Sequence, residues 1–110
     1  MRSSRRLAVR RCAAALIASA LAACGGDDPA KQVESLDSWR ATAEMATTAV
    51  RLGHVTPRYA RQIRDRATAT LNEAREKPTP GATAQQRREL DAAERRLASA
   101  VDTLDTAVRP

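Results

Sequence analysis

The 110-residue chain has almost no aromatic side chains. Phenylalanine is absent, and Trp39 and Tyr59 are the only aromatic residues. A platform of aromatic rings, on which single-stranded nucleic acids stack, is therefore excluded. The chain also has only two cysteines, Cys12 and Cys24, and a single histidine, His54. Because metal sites and nucleophile–base pairs need several such groups together, we expect neither a metal site nor a catalytic site.

A long hydrophobic run is also lacking. The apolar stretch at residues 12–21, CAAALIASAL, has half of the roughly 20 residues that a membrane-spanning helix needs. It follows a basic segment, residues 1–11, that contains five arginines, and it precedes the small residues Ala22 and Ala23. This order of segments is typical of a secretory signal that is removed from the mature protein.

The end of the predicted signal and the residue after it form the tetrapeptide LAAC at residues 21–24. This tetrapeptide resembles the lipobox of bacterial lipoproteins, and the following GGDD at residues 25–28 is similar to their flexible tethers. In that family, the signal is cleaved before the cysteine, whose thiol carries a diacylglycerol. The resemblance implies cleavage between Ala23 and Cys24, a covalent lipid on Cys24 and attachment to a membrane through that lipid. No other cofactor is expected.

Removal of residues 1–23 changes the charge balance of the chain. The whole chain carries a formal charge of +6, but five of its 19 basic residues lie in the signal, which leaves 14 against 13 acidic residues. A balance near +1, together with export, argues against a nucleic-acid partner. The resemblance implies that Cys12 leaves with the signal and that Cys24 is lipidated, so we expect no thiol to remain for catalysis. The remaining 87 residues suffice for one small domain, and we expect no enzyme.

Gly25 bears on the membrane to which the protein is sent. In enterobacterial lipoproteins, an aspartate directly after the lipidated cysteine retains the protein in the inner membrane, and this chain has glycine there. The resemblance therefore favours the outer membrane, with the domain facing the periplasm. In a source without an outer membrane, the same anchor implies the outer face of the plasma membrane. Arg5 and Arg6 leave the twin-arginine export route open beside the general one.

Residues 29–110 have the pattern of an all-α domain. Apolar residues recur every three or four positions, which is the period of a helix, and no stretch alternates with the period of a strand. The expected helices cover about residues 29–52, 57–77 and 84–108. Because the connections are short, we expect an up-down-up antiparallel three-helix bundle behind the signal and the tether at residues 24–28.

Capping residues mark the helix ends. Asp28 and Thr56 each precede a proline, an arrangement in which the side chain caps the helix and proline takes its first position. Thr83 with Gln86 three residues later forms a capping box. Gly53 suits the left-handed position that closes the first helix.

Each expected helix carries an apolar stripe that predicts the core. The stripes comprise Leu36, Trp39, Ala43, Ala46 and Val50; Ala60, Ile63, Ala67, Leu71 and Ala74; and Leu90, Ala93, Leu97, Ala100, Leu104 and Ala107. Trp39 is expected to anchor the core rather than to dock a partner. Because alanine buries little apolar area, we expect modest stability and leave self-association open as a further source of burial.

Arginines cluster around the turn between the first and second helices. Five of them fall within sixteen residues, with only one acidic residue among them: Arg51, Arg58, Arg61, Arg64 and Arg66. Two interpretations follow. The pattern favours a structural one, in which Asp102 and Asp105 from the end of the third helix neutralise Arg58 and Arg61, which lie unfavourably at a helix N-terminus. In the other, the cluster contacts an anion or a partner.

His54 in this turn is expected to be exposed. Glu73 and Glu76 are likewise expected on a solvated helix face, as ordinary surface charges rather than a catalytic pair.

These features predict a lipid-anchored helical protein of the bacterial envelope that acts as an adaptor or binding module without catalysis. Its partners would be the membrane and an envelope protein or cell-wall component. Alternatively, the lipobox, the helix bearing Trp39 and the turn at residues 51–56 resemble small helical lipoproteins of unknown role from phage and prophage elements. A lysis-associated outer-membrane subunit is one version of that alternative.

Overall fold

Three α-helices make up the computed structural model, which describes residues 28–77 and 79–110. Helix α1 spans Pro29–Arg51, α2 spans Pro57–Glu76 and α3 spans Ala84–Val108, and each helix packs against the other two. The described part contains no strand. The predicted all-α three-helix bundle is confirmed, with helix ends within one residue of those expected. The predicted signal and the sites at Ala23 and Cys24 lie outside the described residues.

The three predicted N-terminal caps are all present. Asp28 and Thr56 each accept a hydrogen bond from a backbone N–H in the first turn of the following helix, at 3.0 and 3.1 Å. At the start of α3, the Gln86 N–H donates to Thr83 Oγ1 at 3.1 Å and the Thr83 N–H donates to Gln86 Oε1 at 2.9 Å. These bonds satisfy backbone donors that have no partner within the helix, so the sequence itself determines where each helix begins.

Gly53 closes α1 in the left-handed conformation that was expected, with φ of 73°. The His54 N–H donates to the Ala49 carbonyl at 2.8 Å, and the Gly53 N–H donates to the Val50 carbonyl at 3.1 Å. This pair of bonds is a Schellman motif. A Cβ atom on Gly53 would meet nothing within 4 Å, so the backbone conformation alone favours glycine here.

The core consists of two clusters stacked along the bundle. The first core cluster, nearer the start of α1, contains Leu36, Ala67, Leu71, Leu90, Ala93 and Leu97. The second core cluster contains Ala43, Ala46, Ala60, Ala100, Leu104 and Val108. All but Val108 were predicted, whereas Ala107 is only half-buried because the stripe on α3 continues four residues after Leu104 rather than three.

The remaining predicted core positions lie at the margin of these clusters. Trp39 and Ala74 are half-buried against the first core cluster, and Val50 and Ile63 against the second. Trp39 is therefore a partly exposed anchor. Thr47 is buried although it is polar, and its hydroxyl donates to the backbone carbonyl four residues earlier at 3.0 Å, which satisfies the group.

Candidate functional site

We name the end of the bundle farthest from the start of α1 the distal tip. It consists of the last turn of α1 at Arg51, the loop at residues 52–56, the first turns of α2 with Arg58 and Arg61, and the last turn of α3. Antiparallel packing brings these segments to the same end. The structure thus gathers Arg51, Arg58 and Arg61 at the tip, all exposed. The other two residues of the predicted cluster, Arg64 and Arg66, lie further along α2.

Arg64 forms an ion-pair network that links α2 to α3. Its Nη1 donates to Asp105 Oδ1 at 2.8 Å, and its Nε and Nη2 donate to Asp65 Oδ1 at 3.1 Å. The other oxygen of Asp105 accepts from Arg109 Nη2 at 2.7 Å. Asp105 therefore joins two arginines that are far apart in sequence. The side chain of Arg64 is held by its bonds to Asp65 and Asp105.

This network corrects the predicted charge pairing. Asp105 does neutralise an arginine of the cluster, but that arginine is Arg64 and not Arg58 or Arg61. Asp102 forms no ion pair within residues 28–77 and 79–110. The reason is position along α2: Arg64 lies three residues after Arg61, on the half-buried side of the helix that meets α3.

The hydrogen bonds shift the acid–base properties of this network. The bonds from Arg109 and then from Arg64 hold the pKa of Asp105 below its ordinary value. The pKa of Arg64 is raised, first by its hydrogen bond to Asp65. Both groups therefore stay ionised, and their charges cancel locally.

Once this pairing is counted, the distal tip keeps an excess of positive charge. Arg51, Arg58 and Arg61 form no ion pair with any residue of the described part, and neither does Arg66 on the side of α2. A guanidinium group can donate two parallel hydrogen bonds to a carboxylate or a phosphate. The tip is thus chemically suited to contact an anionic group of another molecule.

An exposed apolar face adjoins this tip and was not predicted. Met45 is 73% exposed and Leu52 is 63% exposed. Both line a shallow groove of ≈ 480 Å³ on the outside of α1, together with Ala41, Glu44, Thr48, Ala49 and His54. The signal was visible in the sequence as apolar residues at four-residue intervals, Ala41, Met45 and Ala49, on the side of α1 opposite its core stripe.

A second groove, of ≈ 480 Å³, lies between α1 and α3 and is electrically balanced. Arg96 donates to both carboxylate oxygens of Asp37, at 3.1 and 3.3 Å. Arg40 Nη1 donates to both oxygens of Glu44 at 3.1 Å, while its Nε lies 3.7 Å from Asp37 Oδ1 and has no hydrogen-bond partner. The Arg96–Asp37 pair links α3 to α1, whereas the pairs of Arg40 lie within α1, and together they leave no free charge of one sign for a ligand.

A third groove, of ≈ 510 Å³, runs between α2 and α3 near their connecting loop and includes Glu94. Burial raises the pKa of Glu94, the nearby Asp91 raises it further, and Arg75 opposes the shift. Within residues 28–77 and 79–110, no three His, Cys, Asp or Glu side chains are grouped so that they could hold a metal ion. Glu73 and Glu76 are exposed, as expected, and so is His54.

Comparisons with known proteins do not identify a relative: no protein family, curated protein or solved structure matches this chain. None of the helices in the described part is long and apolar enough to cross a membrane.

Proposed function

We propose that this chain is a lipid-anchored adaptor of the bacterial envelope, which binds another protein through its helical domain and catalyses no reaction. The observation that carries the proposal is the LAAC tetrapeptide ending in Cys24, preceded by a basic and an apolar segment. Helix α1 begins at Pro29, five positions after Cys24, so little chain separates the proposed lipid from the folded domain.

The short tether defines how the domain would be presented. A lipid on Cys24 holds the start of α1 close to the membrane surface. Helix α1 has 23 residues, which corresponds to a length of about 35 Å. If α1 rises from the membrane, the distal tip lies about one helix length further out, where a second envelope component would be met. The exposed arginines and the apolar groove beside them support an adaptor that works through contacts at this end.

Substitution of the cysteines tests the anchor. A Cys24→Ser chain should take up no labelled palmitate, retain its signal and accumulate as a longer precursor. Cys12→Ser is the matched control, because it removes the other cysteine from the same segment and should be processed and labelled normally. Normal labelling of Cys24→Ser, or equal loss of label in both variants, would contradict the proposal.

Membrane fractionation tests the proposed address. In a host with two membranes, the unaltered chain should sediment with the outer membrane because Gly25 follows the proposed lipidated cysteine. Gly25→Asp should shift it to the inner membrane fraction. A chain that stays in one fraction irrespective of residue 25 would contradict the proposed sorting.

A further inference from the structure

The outward side of α1 carries a second apolar stripe in addition to the one that faces the core. This outer stripe consists of Ala41, Met45, Ala49 and Leu52, spaced by four, four and three residues. Such spacing keeps the side chains on one face of a helix over about 16 Å, or three turns. The two large members are mostly exposed, at 73% for Met45 and 63% for Leu52.

The outer stripe has no role in the core of this fold. The buried residues of α1 lie on the opposite side of the helix, as Ala43 and Ala46 in the second core cluster show. Large apolar side chains that are exposed on the same face mark an interaction surface more often than single exposed apolar residues do. Methionine in particular adapts its shape to a partner because it is unbranched and flexible.

The charges beside the outer stripe select the kind of partner. At its upper end, Leu52 directly follows Arg51, and Arg58 lies across the short loop at the same end of the bundle. Neither arginine has an ion-pair partner within residues 28–77 and 79–110. The one acidic residue that lines the groove, Glu44, is already bonded through both oxygens to Arg40. Positive charge without an ion-pair partner in the described part thus adjoins the upper end of the groove, beside Leu52, although neither arginine is among the residues that line it.

A second copy of this chain fits the outer stripe poorly. If Cys24 carries the proposed lipid and α1 rises from the membrane, every copy has its distal tip pointing away from the same membrane. Two outer stripes packed together would then place each Arg51 beside its equivalent, and like charges in such an interface are unfavourable. This step rests on the proposed function, whereas the apolar and charged character of the surface does not.

We propose that the outer stripe and the adjoining arginines form the docking surface for an acidic amphipathic α-helix of a partner protein. The apolar face of that helix would cover Met45 and Leu52, as amphipathic helices do in apolar grooves. Its carboxylates would lie over Arg51 and Arg58, where the planar guanidinium groups donate paired hydrogen bonds. Three turns of helix would cover the whole stripe.

A peptide-binding assay tests this proposal. The full chain is placed in phosphatidylcholine vesicles, and the probe is a fluorescent helical peptide of about 18 residues with leucines on one face and glutamates beside them. Binding is followed by fluorescence anisotropy in about 0.05 M and about 0.3 M salt. We expect binding that weakens as salt rises, and no binding of a peptide in which lysines replace the glutamates.

Substitutions on the docking surface distinguish the contribution of its apolar side chains from that of its arginines. Met45→Glu should weaken binding at least about tenfold, whereas Ala69→Glu, at an exposed position on α2, should leave it unchanged. Arg51→Ala combined with Arg58→Ala should weaken binding and reduce its salt dependence. The matched pair Arg88→Ala and Arg95→Ala, also exposed, should do neither. Each variant is used only if its helical circular dichroism equals that of the unaltered chain.

Four results would overturn the docking proposal. Three come from the binding assay: no binding of the acidic peptide, equal weakening by the control variants, or loss of peptide binding when vesicles of phosphatidylglycerol compete for the tip. The last result would assign the surface to an anionic lipid. A cross-link from Met45→benzoylphenylalanine to a second copy of the chain in the envelope would assign it to self-association. Palmitate labelling of the same cells reports separately on the anchor, so a labelled chain that binds no peptide refutes only the docking surface.

Discussion

Leu97 provides the sharpest test of the packing. It is fully buried in the first core cluster. Within the described part, only three large side chains have essentially no exposure, and Leu97 is one of them. Truncation of a buried leucine to alanine costs about 2.7–5.0 kcal/mol, and the upper end of this range applies where the surroundings cannot collapse into the cavity. Leu97 shares this cluster with Leu36, Leu71 and Leu90, so that leucines from all three helices hold the site open.

The expected loss is large for a domain of this size. At about 0.05–0.15 kcal/mol per residue, the 82 described residues correspond to a free energy of unfolding of about 4–12 kcal/mol. A loss of about 3 kcal/mol lowers the melting temperature by about 12–24 °C in so small a domain. Leu97→Ala should therefore leave a barely stable chain.

Thermal unfolding by circular dichroism, with a chain that starts after Cys24, measures this effect. The matched control is Leu52→Ala, which removes the same atoms from a side chain that is 63% exposed and should change the free energy of unfolding by less than about 0.5 kcal/mol. If the two variants melted at the same temperature, the assignment of one leucine to the core and the other to the surface would be refuted. A large effect of Leu52→Ala that grew with protein concentration would show that Leu52 is covered by a second copy.

Three further effects are expected from the same melting experiment. Ala93→Leu should cost about 1–3 kcal/mol because Ala93 is fully buried where helices meet, whereas Ala69→Leu on the exposed side of α2 should be neutral; equal effects would contradict the close packing. Gly53→Ala should cost about 1–2 kcal/mol for the left-handed backbone alone, and an unchanged melting temperature would show that the turn adopts another conformation. Because its two arginine partners lower the pKa of Asp105, its charge stabilises the fold above the unfolded pKa of about 3.9, and this contribution is lost as the pH falls through the lower folded pKa. Asp105→Asn should therefore lower the melting temperature at pH 7 and reduce its fall below pH 4, and an unchanged pH profile would show that the network does not stabilise the fold.

The helix ends could be predicted because their signals are local. Thr56 before Pro57, and Thr83 three residues before Gln86, satisfy backbone donors within a single turn, independently of the rest of the fold. Most of the core followed from the same short-range pattern, since a helical period identifies which residues share a face.

The ion pairs between helices could not be predicted in the same way. The choice of Arg64 rather than Arg61 as the partner of Asp105 depends on how far α3 is shifted along α2. Three residues, or about 4.5 Å along the helix axis, separate the two arginines, and periodicity carries no information on such a shift. The expectation that opposite charges compensate holds for Asp105, but the predicted partner Arg61 lies three residues before the observed partner Arg64.

The outer stripe was overlooked for a different reason. Helix α1 is the least amphipathic of the three because apolar residues lie on two of its sides. Assigning its stronger stripe to the core left Met45 and Leu52 without a role, although both are large and apolar. Both recur at helical spacing with Ala41 and Ala49, so that the sequence carries the signal of this second face.

The intact mass of the mature protein tests the central claim of a lipid-anchored domain most directly. The chain is expressed with its own signal, extracted from membranes and measured by mass spectrometry, with its N-terminal peptide analysed separately. We expect an N-terminus at Cys24 and an added mass that corresponds to a diacylglycerol on its sulfur. A mature N-terminus at any other residue, or an unmodified Cys24 in the membrane fraction, would contradict the account.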